Sequence, residues 1–179
     1  FKWSNVRQLD AVGRELLART WAAGGGPADL GAPMTIDVDS TICEVYGRRK
    51  QGAGFGYTKV RGYHPQLAVC AQAVQVLFSR LRGGNAGPAR GAKSFLTETV
   101  SRVRHAGATG PMIVRADSAF YSQAVLLTAR KFDVRFSVTV RQNRRIRAEI
   151  EAIAEDAWTP IPYWLYSPEV SGADVAGTP

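Results

Sequence analysis

The chain has 179 residues, of which 45% are hydrophobic, so it can bury one core of ordinary domain size, and wholesale disorder is excluded. Lysine and arginine number 23 against 15 acidic residues, and the formal charge of +8 favours a polyanionic partner such as nucleic acid. The longest apolar stretch, residues 67–78, is too short to span a bilayer, and the two cysteines, Cys43 and Cys70, form no CxxC pair that would indicate a zinc ribbon.

The N-terminal part predicts a helix, a linker, a strand and a loop. Apolar residues recur at helical spacing over residues 5–22, and those expected to face the core are Val6, Leu9, Val12, Leu16 and Leu17. Glycine and proline at 24–27 end this helix and open a flexible connection. A strand follows over residues 34–41, and residues 47–56, rich in glycine and charge, predict a solvent-exposed loop.

The rest of the chain alternates strands with helices. Residues 66–81 predict two strands that turn near residues 71–73. The remaining predicted elements are a helix over 92–105, a strand over 112–114, a helix over 122–131, an alternating strand over 134–140 and a helix over 144–156. This order implies an α/β fold of ribonuclease H-like topology, a mixed five-stranded sheet flanked by helices. In that topology the first and fourth strands are parallel neighbours, and their carboxyl ends meet at one edge.

Three aspartates stand where these two strands end. Asp37 and Asp39 share one face of the first strand, and Asp117 follows the fourth. Carboxylates on an apolar strand are costly unless a cation neutralises them, and a divalent metal does so. Asp39 and Asp117, from adjacent strand ends, could share one metal or bridge two. Each also has a structural interpretation: Asp37 and Asp39 could form caps or salt bridges, and Asp117 with Ser118 could cap the next helix.

Four motifs around these positions resemble those of a known family. They occur in order over roughly residues 34–160 and are Asp39-Ser40-Thr41, Gly62-Tyr63-His64-Pro65, Arg82-Gly83-Gly84-Asn85-Ala86 and Arg115-Ala116-Asp117-Ser118-Ala119-Phe120. The chain thereby resembles the DDE transposases of bacterial insertion sequences, and more narrowly transposase DDE domain group 1. The resemblance implies metal-dependent DNA cleavage and strand transfer at insertion-sequence ends, with Mg²⁺ or Mn²⁺, two ions in the intact enzyme.

The resemblance also assigns roles to the three aspartates. It implies that Asp39 and Asp117 are catalytic and are the first two metal-binding carboxylates. Asp37 is either a partner of these ligands or the true first metal ligand. His64 needs no catalytic role, because the expected attack on phosphorus by water or a DNA 3′-hydroxyl uses no protein nucleophile.

The family pattern needs a third acid, a glutamate on a later helix behind an inserted β-rich segment. Glu149, Glu151 and Glu155 follow the fifth strand, but their arginine-rich surroundings are typical of a solvated face. We therefore expect the third acid to be missing from this chain. The chain starts without a methionine and ends in a Gly/Pro-rich stretch, which indicates a piece of a larger protein. Without the third acid this piece could be inactive alone. The expected division is an N-terminal helix and linker at 1–33, an incomplete catalytic core at 34–143 and a truncated start of the inserted segment at 144–179.

Basic residues form two clusters that favour contact with DNA. The first surrounds the glycine-rich loop and comprises Arg48, Arg49, Lys50, Lys59 and Arg61. Aromatic residues are interleaved with it, a combination that suits backbone phosphates and stacked bases. The second cluster follows the fifth strand and comprises Arg141, Arg144, Arg145 and Arg147. The expected partners are transposon ends and target DNA, with a homodimer in the intact protein, in the bacterial cytoplasm at the nucleoid.

Two other functions stay open at this stage. Residues 37–41 fit the DxDxT pattern of haloacid dehalogenase-like phosphohydrolases, in which the first aspartate attacks phosphorus and the second is the acid/base. A glycine-rich, hairpin-like region in place of a crossover helix counts against it, as does Ser118 after Asp117 where a second acid is expected. The other alternative is a non-catalytic DNA-binding remnant of a transposase.

Overall fold

The structure, a computed structural model, describes residues 3–47, 49–160 and 174–176, and the chain divides into two compact units, residues 1–140 and 141–179. The elements of the first unit are α1 (Trp3–Ala22), β1 (Met34–Ser40), β2 (Cys43–Glu44), β3 (Gly54–Phe55), β4 (Arg61–Tyr63), β5 (Gln66–Cys70), β6 (Gln75–Arg80), α2 (Ala92–His105), β7 (Met112–Ala116), α3 (Gln123–Lys131) and β8 (Val134–Val138). Those of the second are α4 (Arg144–Glu151), a 3₁₀ turn (Glu155–Ala157), β9 (Trp158–Pro160) and β10 (Asp174–Ala176).

The first unit is built on a five-stranded sheet of order β6-β5-β1-β7-β8. Its central strand, β1, pairs antiparallel with β5 and parallel with β7, and β7 pairs parallel with β8. This is the mixed sheet of ribonuclease H-like topology that the sequence predicts, so the predicted fold class is confirmed. On β1 the side chains of Met34, Ile36 and Val38 are buried, while the alternate positions face the other side.

The core of the first unit lies between the sheet and its helices. Helix α2 contributes Phe95, Leu96, Val100 and Val103, all buried, as its predicted apolar stripe requires. Phe95 stacks on Phe78 of β6 with ring centroids 4.8 Å apart. Burying a side chain of this size stabilises the fold by about 1.5–3 kcal/mol, so these contacts fix α2 to the sheet.

Helix α1 packs differently from the sequence prediction. Of the five residues expected to face the core, only Leu17 is buried, and Val6, Leu9, Val12 and Leu16 are 46–63% exposed. The buried face instead joins Leu17 to Trp21, and Asp10 forms an ion pair with the buried Arg102 of α2 at 2.5 Å. The prediction was wrong because the apolar stripe and the docking face are different sides of this helix.

A small three-stranded sheet of order β2-β4-β3 was also not predicted. The sequence predicts only a loop at residues 47–56, although β3 lies inside that range. Strands of two or three residues carry too little alternation to be recognised in a sequence. Helix α4 is likewise shorter than its predicted range of 144–156. Within the described residues, none of the helices has the length and apolarity that crossing a bilayer requires.

Candidate functional site

Asp39 and Asp117 occupy equivalent positions on neighbouring parallel strands. The parallel register pairs Asp37 with Arg115 and Val38 with Ala116. The next residue of β1 is Asp39, and the residue that directly follows β7 is Asp117. Neighbouring strands lie about 4.8 Å apart. Both aspartates are exposed. The β1–β7 pair therefore brings two open carboxylates together at one edge of the sheet.

Backbone N–H groups orient both carboxylates. Asp39 accepts a hydrogen bond at Oδ1 from the N–H of Ser40 at 2.6 Å, and Asp117 accepts one at Oδ1 from the N–H of Ala119 at 3.0 Å. Among the described residues no donor bonds to the Oδ2 atom of either aspartate. The cap of α3 is Ser122, whose hydroxyl accepts from the N–H of Val125. The structural interpretation of Asp117 as the cap of that helix is thus wrong.

Asp37 is engaged by an arginine of the adjacent strand. Arg115 donates from Nε to Oδ1 at 2.6 Å and from Nη2 to Oδ2 at 2.8 Å. The hydrogen bonds and the charge of Asp37 raise the pKa of Arg115 above its usual value. The structure thus gives Asp37 a salt bridge, one of the two interpretations that the sequence allows. Its role as a metal ligand stays a prediction, since a metal would have to displace Arg115.

The donor set at this edge fits a hard divalent cation. Carboxylate oxygens are the ligands that Mg²⁺ and Mn²⁺ prefer, and Asp39 and Asp117 each present one without a protein donor. Within the described ranges there is no group of three or more histidine, cysteine, aspartate or glutamate side chains that could hold a metal ion. Glu149, Glu151 and Glu155 are exposed residues of the second unit. The two aspartates are therefore a partial ligand set.

The basic loop lies beyond the same edge of the sheet. We call residues 41–65, with β2, β3 and β4, the platform. The β1–β5 ladder continues into it without a shift in register: Ser40 pairs with Gln66, the N–H of Thr41 donates to the carbonyl oxygen of Pro65 at 3.2 Å, and Cys43 pairs with Tyr63. The platform is thus an extension of β1, which carries Asp39, and of its antiparallel neighbour β5.

The first basic cluster is displayed on the platform. Arg49, Lys50 and Lys59 are exposed, and Arg61 is half-buried and donates from Nη1 to the carbonyl oxygen of Gly47. Arg48 lies outside the described residues. Contact of these residues with DNA stays a prediction.

Two motifs of the sequence anchor the platform to the core. His64 is 1% exposed, with its Nδ1 2.7 Å from the carbonyl oxygen of Ala86, so it is a structural residue. Arg82 donates from Nε to the carbonyl oxygen of His64 at 2.8 Å, and from Nη1 to three carbonyl oxygens of the loop after β6, those of Gly87, Pro88 and Arg90. Burial and the nearby charges of Arg80 and Arg90 lower the pKa of Arg82.

Sequence reasoning missed Gln66, which is buried in this same anchor. Its Nε2 donates to the carbonyl oxygen of Pro88 at 2.8 Å. The sequence contains a signal for this contact: the motifs at 62–65 and 82–86 stand on either side of the β5–β6 hairpin, so they meet when the hairpin forms.

The second basic cluster surrounds the start of α4 in the second unit. Arg141, Arg144 and Arg145 are exposed, and the side chain of Asn143 caps the helix by accepting from the N–H groups of Arg145 and Ile146. Cations in the first turn oppose the helix dipole. They therefore add nothing to helix stability and suit an external anion, but a DNA contact here also stays a prediction.

Comparison with known proteins gives one family and several solved structures. The family described as transposase DDE domain group 1 matches residues 6–164. A piggyBac transposase synaptic complex with hairpin DNA is similar, with 14% identity over 68% of this chain and 26% of that chain and a TM-score of 0.47. The catalytic domain of Mos1 mariner transposase has 12% identity over 76% of this chain and 61% of that one, with a TM-score of 0.41.

The Mos1 transposase catalytic domain solved with Raltegravir and Mg has 14% identity over 69% of this chain and 56% of that one, with a TM-score of 0.39. The chain thus covers 26–61% of the length of these three structures. No curated protein matches the chain significantly.

Proposed function

The chain belongs to the transposase DDE domain group 1 family, and from that premise we propose that it is the catalytic core of a bacterial insertion-sequence transposase. The activity is metal-dependent DNA cleavage and strand transfer at the ends of the element. The observation that carries this proposal is the equivalent position of Asp39 and Asp117 at the ends of two adjacent parallel strands. Phosphoryl transfer needs carboxylates in such an arrangement to hold divalent ions against the reacting phosphate.

Asp39 and Asp117 are the catalytic residues of this proposal and hold the metal, Mg²⁺ or Mn²⁺, with two ions in the intact enzyme. When bound, the metal activates the attacking hydroxyl and stabilises the leaving oxygen. The backbone N–H groups of Ser40 and Ala119 keep the two carboxylates oriented. Arg115 neutralises Asp37, so that a third negative charge does not add to the repulsion at this edge.

The partners follow from charge and family. The formal charge of +8 suits the phosphates of transposon ends and target DNA. The intact protein acts as a homodimer in the bacterial cytoplasm, close to the nucleoid. The DNA-contacting residues are those of the two basic clusters: Arg48, Arg49, Lys50, Lys59, Arg61, Arg141, Arg144 and Arg145.

The domain division is also proposed. Residues 1–33 are an N-terminal helix and linker, residues 34–143 the catalytic core and residues 144–179 the start of an inserted β-rich segment. The antiparallel pairing of β9 with β10 supports the last assignment. The third acid then belongs to a helix beyond that segment.

The two alternatives are not supported. In a haloacid dehalogenase-like enzyme Asp37 would be the nucleophile, but both of its oxygens are bound by Arg115. Strand β1 leads into β2 and an antiparallel β5 where that superfamily would need a crossover helix. The remnant interpretation lacks support because Asp39 and Asp117 remain open and adjacent.

The test replaces Asp39 or Asp117 by asparagine, which keeps the shape and removes the charge. In the intact transposase we expect Asp117→Asn to lower cleavage of insertion-sequence ends by at least about a hundredfold, because several kcal/mol of metal stabilisation are lost. DNA affinity measured in EDTA should stay within about twofold. Asp133→Asn, an exposed aspartate before β8, is the matched control.

A second measurement needs no activity. Mn²⁺ should raise the Tm of the wild-type chain and of Asp133→Asn, since a ligand that binds only the folded state stabilises it. The same titration should leave the Tm of the Asp39→Asn, Asp117→Asn double variant unchanged. Undiminished cleavage by Asp117→Asn would refute the assigned role.

A further inference from the structure

The platform shares one continuous face with the aspartates. From Arg61 to Cys70 every second residue is buried, so Gly62, His64 and Gln66 continue the core side of β5 into the platform. The alternate positions, which include Arg61 and Tyr63, lie on the other side. Asp39 belongs to that other side as well, because it pairs directly with Leu67.

The outer end of this face carries an exposed aromatic ring beside a cation. Phe55 of β3 pairs directly with Arg61 of β4, so both side chains lie on the same face of the small sheet. Phe55 is 66% exposed. Tyr63 follows on the same face, and its hydroxyl donates to the carbonyl oxygen of Gln51 at 2.7 Å. The aromatic groups therefore stand on a defined strand and do not sit in an irregular loop.

The opposite side of the small sheet is packed against the protein through glycines. A Cβ on Gly84 would collide with the carbonyl oxygens of Gly54 and Gly62, and one on Gly56 would collide with the carbonyl oxygen of Gly84. Backbone thus lies directly on backbone, and Tyr63 also forms a bridge with Gly83. The glycine side of the small sheet is thus packed against the loop after β6, and the side that carries the exposed Phe55 is turned outward.

The positive charge of the platform favours a polyanion as its ligand. The 25 residues of the platform contain five basic residues, Arg48, Arg49, Lys50, Lys59 and Arg61, against the single acid Glu44, a net charge of +4. An aromatic face among cations binds single-stranded nucleic acid by stacking, whereas bases inside a duplex expose only their edges. Three exposed aromatic residues lie on this segment, Tyr46, Phe55 and Tyr57, and of these Phe55 is paired directly with the cation Arg61.

Distance sets where on the DNA this contact would fall. Val45 marks the level of the Phe55–Arg61 pair, because its N–H donates to the carbonyl oxygen of Arg61. Asp39 lies six residues before Val45 in the chain. At about 3.3 Å per residue the ribbon spans at most about 20 Å, which corresponds to about six nucleotides at 3.4 Å each.

We propose that the Phe55–Arg61–Tyr63 face of the platform binds unpaired DNA nucleotides within about six positions of the reacting phosphate, with a base stacked on Phe55. This inference rests on the proposed transposase function, because it takes the DNA from that assignment. It adds a substrate preference: DNA with a single-stranded segment next to the site of reaction, rather than an uninterrupted duplex.

The experiment compares two probes in EDTA, a blunt duplex and the same duplex with a six-nucleotide single-stranded extension. Wild-type protein should bind the extended probe about tenfold more tightly, since stacking of a base on an aromatic side chain contributes on that order. Phe55→Leu should lose this preference and keep its affinity for the blunt duplex. Phe136→Leu, a 42% exposed aromatic residue on β8, should bind both probes as wild type does.

Several outcomes would overturn the inference. The first is that the wild-type protein shows no preference for the extended probe, and the second is that Phe55→Leu keeps this preference. The third is that Tyr57→Leu loses the preference as fully as Phe55→Leu does, because the ring of Tyr57 lies against the buried His64 and not on the Phe55 face. If Phe55→Leu does not fold, photo-crosslinking of 5-iododeoxyuridine in the extension to wild-type protein decides: the cross-link should fall on Phe55 or Tyr63, and one elsewhere overturns the proposal. The binding comparison is made without metal, so it does not depend on cleavage. If Asp117→Asn cleaves DNA as wild type does, the proposed transposase function is wrong, and the binding comparison still tests the Phe55 face by itself.

Discussion

At the scale of single residues, neighbouring side chains of one type have different environments. Asp37 and Asp39 share a face, yet one is bonded by Arg115 and the other only by a backbone N–H at one oxygen. The sequence predicts the shared face from alternation, and it predicts that Asp117 comes close. It could not predict the ion pair, because the pairing of Asp37 with Arg115, 78 residues further along the chain, depends on the parallel register of two strands.

Leu16 and Leu17 of α1 offer a second such pair. Leu17 is 6% exposed and belongs to the core, whereas Leu16 is 63% exposed. We expect Leu17→Ala to lower the free energy of unfolding by about 2–4 kcal/mol, through lost burial and the cavity left behind. Leu16→Ala should change it by no more than about 0.5 kcal/mol. Urea unfolding of both variants measures the difference, and equal losses would show that α1 does not dock by the face described.

At the scale of elements, length separates what the sequence predicts from what it does not. The helix at 92–105 and the strands of the large sheet are long enough for their periodicity to be read, and both were predicted close to their observed ranges. Strands β2, β3 and β4 have only two or three residues each, too few to show alternation, and they are packed against the loop after β6, which is distant in sequence. Local patterns do not contain that information.

The glycine contact beneath the platform can be tested with two substitutions in one loop. Gly84→Ala puts a methyl group against the carbonyl oxygens of Gly54 and Gly62, whereas Gly87→Ala meets no atom within 4 Å. We expect Gly84→Ala to lower the free energy of unfolding by about 1–3 kcal/mol, since a packed site resists added volume. Gly87→Ala should be neutral or stabilising by up to about 1 kcal/mol. Thermal unfolding provides the comparison, and the reverse order of stability would mean that the platform is not seated on Gly84.

At the scale of the whole molecule, positive charge is unevenly distributed. The platform carries +4 of the total +8 in 25 of 179 residues. Composition alone predicts a polyanionic partner, and only the register of β1 with β5 shows that this charge lies beyond the edge that holds the aspartates. Of the basic residues of the platform, Arg61 lies on the side of the β1–β5 ladder that also carries Asp39.

Salt dependence of DNA binding tests this distribution. Each phosphate contact contributes about 0.9 to the slope of log K against log salt. Arg49→Gln with Lys50→Gln should therefore reduce the slope by about one to two. The matched control, Arg130→Gln with Lys131→Gln, removes the same charge from exposed positions at the end of α3 and should leave the slope unchanged. Equal reductions in both variants would mean that only total charge matters.

The unbroken register from β1–β5 into β2–β4 also limits how this protein can change over evolution. Inserting one residue into either strand between Asp39 and the platform would invert the alternation beyond it. An extra residue just before Gln66, for example, would put the bulky Tyr63 in the place where Gly62 is buried next to Gly84. Homologues should therefore vary in this hairpin by residue pairs, in both strands together, and each added pair would move the aromatic face about 7 Å further along the bound strand.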